Sequence, residues 1–387
     1  MASVDRNMND AQVFVDVSPL WELQYTGVSN VVHELAQRFL ADTQLQPEFL
    51  VMGKSVPTDA IATCVAQKRG TALHEIFAQN IPRDVPVDDR GYVNGRPAVG
   101  FFSNTKPSRR VFCHDTQLFY DFSPLLTPEC HTPDTVRHHM TGLGDQINSN
   151  SLLFCISEST AGDLVEIFKV ERSRLRVALL GNNVDLSFSR AIHKSLRSAG
   201  VESFFLVLGT IEPRKNIPFV LDWIRTHPEL LERHKFVFAG REGWGPTFAE
   251  LVAAARLEPA LESGRIVHLG FVDEWAKAAL LAGAEALIFP SVFEGFGLPI
   301  LEAMSVGTIV ISSVSTSLPE VLGNTGYYFD PYSLDSLHRA YRDFLLDREA
   351  GVLPLLRNRA FEQAATFSYD HTYAVIRDGL SALVSNL

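Results

Sequence analysis

The segment Ala286-Leu-Ile-Phe-Pro-Ser-Val-Phe-Glu-Gly-Phe-Gly-Leu-Pro-Ile-Leu-Glu302 carries the clearest information about the fold. Its apolar start, which ends in Pro290, is typical of a buried strand. A glycine-rich turn follows, and Pro299 suits the first turn of a helix, where its missing N–H costs nothing. The segment therefore predicts a strand, a turn and a helix in succession, as in a parallel α/β sheet.

The same alternation of short apolar runs and amphipathic stretches recurs along the chain, whereas residues 42–106 give no clear pattern. The predicted strands are residues 12–17, 110–113, 152–157, 204–208, 235–239, 265–269, 286–290 and 308–312. The predicted helices are residues 28–40, 159–168, 217–225, 247–255, 275–281, 299–305, 334–344 and 370–383. The fold class is therefore α/β, and each block of strands predicts a doubly wound sheet.

Two such blocks are separated by residues 187–202, a polar stretch without periodicity that we interpret as an interdomain linker. A chain of 387 residues is long enough for two domains. We place the first domain in residues 1–195 and the second in residues 196–369. Because doubly wound sheets bind ligands beyond the carboxyl ends of their strands, two such domains predict a ligand in the cleft between them.

Composition and charge exclude several classes of protein. Lys and Arg number 34 against 45 Asp and Glu, and the net charge of -11 argues against nucleic acid as a partner. The four cysteines form no Cys-x-x-Cys pair, and no leader or membrane span is indicated, so we expect a cytoplasmic protein. The basic run at residues 169–176 leaves peripheral docking on a membrane open, although a solvated helix end explains it better.

The turn after residues 286–290 could bind an anion. Gly295 and Gly297 let a ligand approach the backbone, and free N–H groups at the helix start favour negative charge. Glu294 precedes this turn, and Glu302 is expected on the first turn of the helix. Together they suit a ligand with an anionic centre and hydroxyl groups at both ends, although Glu302 could instead only compensate the helix dipole.

A second signal is Gly209-Thr-Ile-Glu-Pro-Arg-Lys-Asn216, between a predicted strand and a predicted helix. Arg214 and Lys215 place two cations where a doubly wound sheet binds its ligand. At about 4 Å and an effective dielectric constant near 20, each contact with a phosphate is worth on the order of 4 kcal/mol before desolvation. The pair is therefore predicted to stabilise a departing diphosphate.

The first block offers weaker signals. Gly27 lies in the loop that opens the helix at residues 28–40, but no complete phosphate-loop or dinucleotide fingerprint is present. Cys113-His114-Asp115 is expected at the end of the strand at residues 110–113, where His114 could enter the cleft or be only structural. No Asp-x-Asp occurs, so a metal bridging a diphosphate through that motif is not supported.

These motifs together resemble the family 4 retaining glycosyltransferases. The likeness rests on Glu294 and Glu302 with seven residues between them, and on 212–216, Thr26-Gly27-Val28, His114-Asp115, Ile156-Ser157-Glu158-Ser159 and Gly181-Asn-Asn-Val-Asp185. Asn183 stands where that family has Gly, a small departure because Asn tolerates the left-handed conformation. The resemblance covers most of the chain and is most specific in the second domain.

This resemblance implies a GT-B fold, with two Rossmann-like domains facing across a cleft. The first domain would bind the acceptor and the second the nucleotide-sugar, with a final helix at residues 370–387 returning to the first domain. The implied catalytic residues are Glu294, His114, Arg214 and Lys215. The implied donor-binding residues are Gly27, Thr210, Arg214, Lys215, Phe271, Val272, Glu294, Gly295, Phe296, Gly297, Leu298 and Glu302, with Glu302 on the ribose and Phe271-Val272 beside the base.

The implied activity is retaining, metal-independent hexose transfer without a separate cofactor. The run 209–216 is similar to that of mannosyltransferases of O-antigen and exopolysaccharide assembly, which favours GDP-mannose as donor and a glycan or lipid-linked glycan as acceptor. UDP-sugars and other GDP-sugars as donors, a nucleotide-sugar 2-epimerase and a non-catalytic nucleotide-sugar-binding module remain alternatives. An NAD-dependent oxidoreductase is disfavoured because the dinucleotide fingerprint is missing. The sequence leaves the oligomeric state open.

Overall fold

The computed structural model describes residues 11–25, 27–182 and 204–387. The strands are β1 (Gln12–Asp16), β2 (Glu48–Val51), β3 (Lys54–Val56), β4 (Arg83–Asp84), β5 (Tyr92–Val93), β6 (Arg96–Phe102), β7 (His114–Phe119), β8 (Leu152–Cys155), β9 (Leu175–Val177), β10 (Phe204–Leu208), β11 (Lys235–Ala239), β12 (Ile266–His268), β13 (Ala286–Phe289), β14 (Ile309–Ser313) and β15 (Tyr327–Phe329).

The α-helices are α1 (Gly27–Ala41), α2 (Thr58–Gln67), α3 (Thr71–Ala78), α4 (Ser123–Leu126), α5 (Pro133–Met140), α6 (Leu143–Ser149), α7 (Glu158–Glu166), α8 (Ile217–Thr226), α9 (Glu229–Arg233), α10 (Phe248–Ala254), α11 (Glu258–Glu262), α12 (Glu274–Gly283), α13 (Leu298–Ser305), α14 (Leu318–Leu322), α15 (Leu334–Glu349), α16 (Leu353–Ala364) and α17 (Tyr369–Ser385). Short 3₁₀ helices lie at Ser18–Trp21, Pro128–Cys130, Arg172–Arg174 and Pro213–Lys215.

The described residues form two compact units. Those of the first fall within Met1–Tyr120, Met140–Gly181 and Tyr369–Leu387, and those of the second within Asp121–His139 and Asn182–Ser368. The final helix therefore belongs to the first unit, as predicted, whereas residues 121–139 belong to the second and were placed in the first domain by the sequence. The predicted linker, the boundary at 195/196 and residues 183–185 lie outside the described residues.

The first unit is built on a sheet with the strand order β4-β3-β2-β1-β6-β7-β8-β9, and β5 pairs with β6. Strands β1, β2 and β6 to β9 are parallel, while β3, β4 and β5 pair antiparallel. Residues 42–106, which gave no clear pattern, contribute β2 to β6 with α2 and α3. Apart from β6, their strands are only two to four residues long.

The predicted strand at residues 110–113 is wrong, because the strand runs from His114 to Phe119. The carboxylate of Asp115 accepts the backbone N–H groups of Val111 and Phe112 at 2.8 and 2.9 Å, which fixes these residues as a loop. Phe112 is nevertheless buried, with its ring stacked 4.8 Å from that of Phe14. Its apolar character therefore reflects core packing and not strand pairing.

The second unit has a six-stranded sheet, in the order β12-β11-β10-β13-β14-β15, with every pair parallel. The bounds predicted for β10 and β11 are confirmed, those of β13 differ by one residue at one end, and those of β12 and β14 differ by one residue at both ends. These strands are short apolar runs buried on both faces, as expected when helices cover a parallel sheet. On α8, the indole of Trp223 is fully buried and packs edge-on against Phe236 and Tyr341.

Strand order identifies where each unit would bind a ligand. In the second unit the chain leaves β10 toward β11 and β12, and then crosses to β13 on the other side of β10. The loops after β10 and β13 therefore diverge at a topological switch point, where doubly wound sheets hold their ligands. In the first unit the corresponding point lies between β1 and β6.

The basic run at residues 169–176 follows α7, as predicted for a helix end. Arg172 pairs with Glu158 at 2.7 Å, and Arg174 donates to the carbonyl of Asn150 at 2.6 Å. These arginines thus make contacts within their own unit. Across residues 11–25, 27–182 and 204–387, no helix is long and apolar enough to cross a membrane.

Candidate functional site

The switch point of the second unit brings the two strongest sequence motifs together. Residues 209–216 follow β10, and residues 290–297 follow the neighbouring strand β13. The backbone N–H of Val292 donates to the carbonyl of Arg214 at 3.0 Å, which joins the two loops directly. The two motifs, which the sequence indicated separately, thus meet at one edge of the sheet.

The loop after β10 is shaped by a 3₁₀ turn at Pro213–Lys215. Asn216 ends that turn in the left-handed conformation, with φ of 54°, and its side-chain amide donates to the carbonyls of Pro290 and Pro331 at 3.3 and 3.0 Å. Asn216 therefore connects the ends of three strands. Thr210 follows Gly209 directly after β10, at the predicted edge.

The turn before α13 requires glycine at position 297. Gly297 has φ of +112°, and a Cβ there would lie 2.8 Å from Cδ2 of Leu318. Glycine alone combines this backbone conformation with such close packing. The helix then starts at Leu298, beside residues 294–297, with Pro299 in its first turn, while the N–H groups of Ile300 and Leu301 donate to the carbonyl of Gly297 at 3.0 and 3.3 Å.

Glu294 lies between the two cations. Its Oε2 accepts from Nη1 of Arg214 at 2.8 Å, and its Oε1 accepts from Nζ of Lys215 at 2.5 Å. Arg214 also donates through Nη1 to the carbonyl of Phe293 at 2.9 Å and through Nη2 to Glu212 at 2.9 Å. All four charged side chains are between 10 and 20% exposed, so the cluster is largely shielded from water.

The protonation states follow from these contacts. Burial raises the pKa of Glu294, but the positive charges of Arg214 and Lys215 outweigh it and lower the pKa to about 2. Burial lowers the pKa of Arg214, but Glu294 and Glu212 outweigh it, so that pKa lies above its ordinary value. The carboxylate is therefore ionised and Arg214 is positively charged at neutral pH.

A polar turn after β14 holds the backbone around Glu294, and sequence reasoning missed it. The hydroxyl of Thr316 donates to the carbonyl of Glu294 at 2.7 Å, and the hydroxyl of Ser317 donates to the same carbonyl at 2.9 Å. The Glu294 N–H in turn donates to Thr316 at 3.0 Å. The available signal was the run Val314-Ser-Thr-Ser317, which directly follows a buried strand.

Glu302 follows the glycine-rich turn in sequence, whereas Glu294 precedes it. It is held by Lys277, a residue that the sequence analysis did not consider. It is the fifth residue of α13, so the prediction that it lies on the first turn is wrong. A role in compensating the helix dipole is correspondingly weakened, because that effect fades within the first turn. Its Oε1 accepts from Nζ of Lys277, on α12, at 2.7 Å.

The predicted base-binding loop lies after β12. Phe271 is 69% exposed, while the carbonyl of Gly270 accepts from the N–H of Gly240, the first residue after β11, at 2.8 Å. Nε2 of His268 donates to the carbonyl of Gly240 at the same edge, at 3.0 Å. Phe271 and Val272 thus extend from the carboxyl edge of the sheet, which suits a flat apolar group.

Residues 121–139 add a component that the sequence analysis missed. Asp121 raises the pKa of Arg214 electrostatically, and Arg214 in turn contributes to lowering the pKa of His131, after the larger effect of burial. The Nε2 atom of His131 is buried without a hydrogen-bond partner in the part of the chain described. Asp121 comes two residues after the end of β7, so a correct position for that strand would have indicated it.

The sequence prediction for His114 needs correction. His114 begins β7 and does not end a strand, so it lies at the amino edge of its sheet, opposite the edge where ligands bind. Its Nδ1 is 2.8 Å from the hydroxyl of Ser151. Burial, followed by the charge of Arg110, lowers its pKa. The catalytic role was argued from a place at the carboxyl end of a strand, and His114 does not lie there.

Gly27 is found at the expected place in the first unit. It begins α1, and a Cβ at this position would meet nothing within 4 Å. A ligand group could therefore approach the backbone here. Its predicted contact with a diphosphate stays a prediction, as do the individual roles of the residues in the second unit. Among the described residues, no cluster of three or more His, Cys, Asp or Glu side chains is arranged to hold a metal ion.

Comparison with known proteins relates the chain to enzymes of sugar transfer. Residues 188–365 match the family model described as Glycosyl transferases group 1. O-antigen chain mannosyltransferase B of Escherichia coli is 31% identical over 258 residues, which cover 65% of this chain and 66% of that protein. Serotype-specific mannosyltransferase WbdA of Escherichia coli is 28% identical over 275 residues, which cover 69% of this chain and 33% of WbdA.

The similarity therefore spans just under two thirds of the first relative and a third of the second. Among solved structures, a glycosyltransferase from Rickettsia africae ESF-5 aligns with a TM-score of 0.64 and 13% identity. That alignment covers 98% of this chain and 100% of the other. At such low identity it demonstrates a shared fold only.

Proposed function

Since residues 188–365 match the group 1 glycosyl transferases and the chain has the GT-B type of fold, we propose that it transfers a hexose from a nucleotide-diphosphate sugar to a glycan. The observation that carries this proposal is the cluster of Arg214, Lys215 and Glu294 at the switch point between β10 and β13. Two cations there suit a diphosphate, and the adjoining carboxylate suits a sugar hydroxyl.

In this proposal the diphosphate lies against Arg214, Lys215 and the N–H groups at the start of α13. The sugar contacts Glu294 and the backbone of residues 295–298. Glu302 accepts the ribose hydroxyls, and Phe271 and Val272 border the base. The positions at the carboxyl edge of one sheet support these assignments, because the loops that carry them follow neighbouring strands.

We propose that configuration is retained at the anomeric carbon. The bond between that carbon and the diphosphate oxygen breaks, positive charge develops on the sugar, and Arg214 and Lys215 stabilise the departing diphosphate. The acceptor hydroxyl attacks from the same face, and its proton passes to the departing phosphate oxygen. No step in this scheme requires a metal ion, which agrees with the absence of an Asp-x-Asp motif from the sequence.

Mannose from GDP-mannose is the proposed donor group. Two relatives carry the word mannosyltransferase in their names, and one of them is described as acting on an O-antigen chain. The proposed acceptor is accordingly a growing glycan, free or lipid-linked, in polysaccharide biosynthesis. A lipid-linked acceptor would bring the protein to the inner face of a membrane, which flotation with acceptor-containing liposomes tests directly.

A donor panel tests the function. GDP-mannose, GDP-glucose, UDP-glucose and UDP-N-acetylglucosamine are incubated with and without candidate glycans, each with and without a chelator, and nucleotide release is measured. We expect acceptor-dependent GDP release from GDP-mannose that the chelator leaves unchanged, with a product whose anomer matches the donor by NMR. Conversion of a donor to an isomer without acceptor would identify an epimerase, and an inverted anomer would refute the retaining mechanism.

A further inference from the structure

Lys277 connects two parts of the proposed nucleoside site. It lies on α12, five residues after Val272, and its Nζ is 2.7 Å from Oε1 of Glu302 on α13. A second contact, 3.1 Å long, joins Nζ to Oε2 of Glu274 on the same helix as Lys277. One ammonium group thus joins the carboxylate expected at the ribose to the helix that follows the base loop.

The two contacts of Lys277 differ in their surroundings. The side chains of Lys277 and Glu302 are 21 and 18% exposed, whereas that of Glu274 is 65% exposed. Exposed pairs three residues apart on a helix contribute little, because water and salt screen them. The contact with Glu302 is shielded and links different helices, so it is the one that can fix a side chain.

The protonation state of Lys277 is consistent with such a role. Burial lowers its pKa, but the negative charges of Glu302 and Glu274 outweigh that effect and raise the pKa above its ordinary value. The ammonium group is therefore charged at neutral pH and can hold a carboxylate. A carboxylate offers about four lone-pair positions, so one contact from Lys277 still leaves acceptors for other donors.

We propose that Lys277 is a positioning residue for the nucleoside part of the donor, where it fixes the carboxylate of Glu302 so that this group accepts the ribose hydroxyls. The inference rests on the proposed function. A vicinal diol presents two donors in a fixed geometry, and a carboxylate matches it only in a suitable orientation. Ordering a glutamate side chain on binding costs conformational entropy. Because the contact with Lys277 orders Glu302 when the protein folds, this entropy is not lost again when the nucleotide binds.

The experiment compares nucleotides that differ only in the ribose. Binding of GDP, 2′-deoxy-GDP, UDP and 2′-deoxy-UDP is measured by calorimetry for the wild-type chain and for Lys277→Met, Lys277→Arg and Glu274→Gln. We expect the wild type to bind one ribonucleotide about tenfold or more tightly than its deoxy form. Lys277→Met should lose most of that preference, while Lys277→Arg should retain it.

Glu274→Gln is the matched control, because it removes the exposed partner of Lys277 and leaves the contact with Glu302 in place. It should bind all four nucleotides as the wild type does. In turnover assays, Lys277→Met should raise the KM for the donor about tenfold and leave kcat nearly unchanged, the pattern of a lost binding interaction.

A merely structural Lys277 would give a different result. If Lys277→Met weakened the ribose and deoxyribose forms equally, or left the preference intact, the positioning role would be refuted. Should Lys277→Met unfold, Lys277→Ala gives the same test, since it also removes both the charge and the hydrogen-bond donor. Wild-type protein that binds neither GDP nor UDP would refute the proposed function itself, and the role of Lys277 with it.

Discussion

Arg214 and Lys215 share a single carboxylate, and this sharing decides how the two cations are presented. Glu294 contacts each of them through a different oxygen, so the three side chains are held in one geometry. Glu212 adds a second carboxylate on Arg214. The two cations are thus matched by two carboxylates within the cluster.

Lys215→Ala should lower turnover more than 100-fold, which corresponds to about 2.7 kcal/mol of transition-state stabilisation. The reason is that its ammonium group offsets charge that grows on the departing diphosphate. Release of nucleotide from the preferred donor measures the effect. Lys54→Ala is the control, because Lys54 is an exposed cation paired with Asp84 in the first unit. Near wild-type turnover of Lys215→Ala would remove Lys215 from the site.

Glu294→Gln should make the free energy of unfolding less dependent on pH in the acidic range. The pKa of Glu294 is lowered from 4.5 to about 2, so its ionised form stabilises the folded state above pH 4.5. That contribution is lost as the pH falls from 4.5 towards 2. We expect the variant to unfold with a free energy lower by about 3 kcal/mol at pH 7, and with a smaller difference at pH 3.

Urea unfolding of both proteins at several pH values measures this difference. Glu262→Gln, an exposed change on α11, serves as control and should follow the wild type at every pH. A difference between the wild type and Glu294→Gln that stayed constant from pH 7 to pH 3 would contradict the lowered pKa.

At the scale of elements, the site is assembled from loops that follow β10, β13 and β14. Each loop begins where a buried strand ends, and hydrogen bonds from Asn216, Thr316 and Ser317 then join the loops to one another. The resulting turn before α13 leaves no room for a side chain at Gly297. The precision of the site therefore depends on backbone geometry as much as on its charged groups.

Gly297→Ala should destabilise the second unit by more than the left-handed backbone alone explains. A non-glycine residue in that conformation costs roughly 1–2 kcal/mol, and contact with Leu318 adds to it. Gly264→Ala is the matched control, because Gly264 has φ of +71° with nothing within 4 Å of its Cβ position. Chemical denaturation measures the free energy of unfolding of both variants. Equal decreases would show that the Leu318 side chain moves away from the new Cβ without an energetic penalty.

At the scale of the whole molecule, the chain is not divided into two units at a single point. Residues 121–139 leave the first unit and belong to the second, and α17 returns the end of the second block to the first unit. Arg38 pairs with Asp370 at 2.8 Å, and the hydroxyl of Tyr373 donates to Asp42 at 2.7 Å. Stability of the first unit therefore depends on residues that are more than 300 positions away in sequence.

Gly379→Ala should destabilise the first unit selectively. A Cβ at Gly379, on α17, would lie 2.7 Å from Cδ2 of Leu152 and 2.8 Å from Cζ of Phe154. Overpacking of this kind costs about 1–3 kcal/mol, partly offset by the better helix propensity of alanine. Hydrogen exchange should accelerate at β8 and remain unchanged at β13.

Gly162→Ala is the matched control for this change, because Gly162 lies on α7 of the same unit with nothing within 4 Å of its Cβ position. It should stabilise the unit slightly. Equal acceleration of exchange in both units for Gly379→Ala would instead indicate that they unfold together.

The sequence by itself determined the α/β class, five of the six strands of the second unit and the identity of the loops that bear charge. These features follow from local patterns, since a short apolar run reads as a buried strand and a glycine-rich turn before Pro299 reads as a helix start. The same reasoning failed at residues 110–113. There Asp115 takes the N–H groups of two apolar residues, and local composition does not distinguish a buried loop from a strand.

Only the tertiary structure decided which side chains meet. Lys215 and Glu294 are 79 positions apart, and Lys277 and Glu302 are 25 apart, so neither pair has a local signature. Strand order brings the first pair together, because β13 crosses to lie beside β10. His114 likewise lies at the amino edge of its own sheet, because its strand begins there and does not end there. A pattern along the chain specifies elements, whereas distances across the sheet depend on how the whole chain folds.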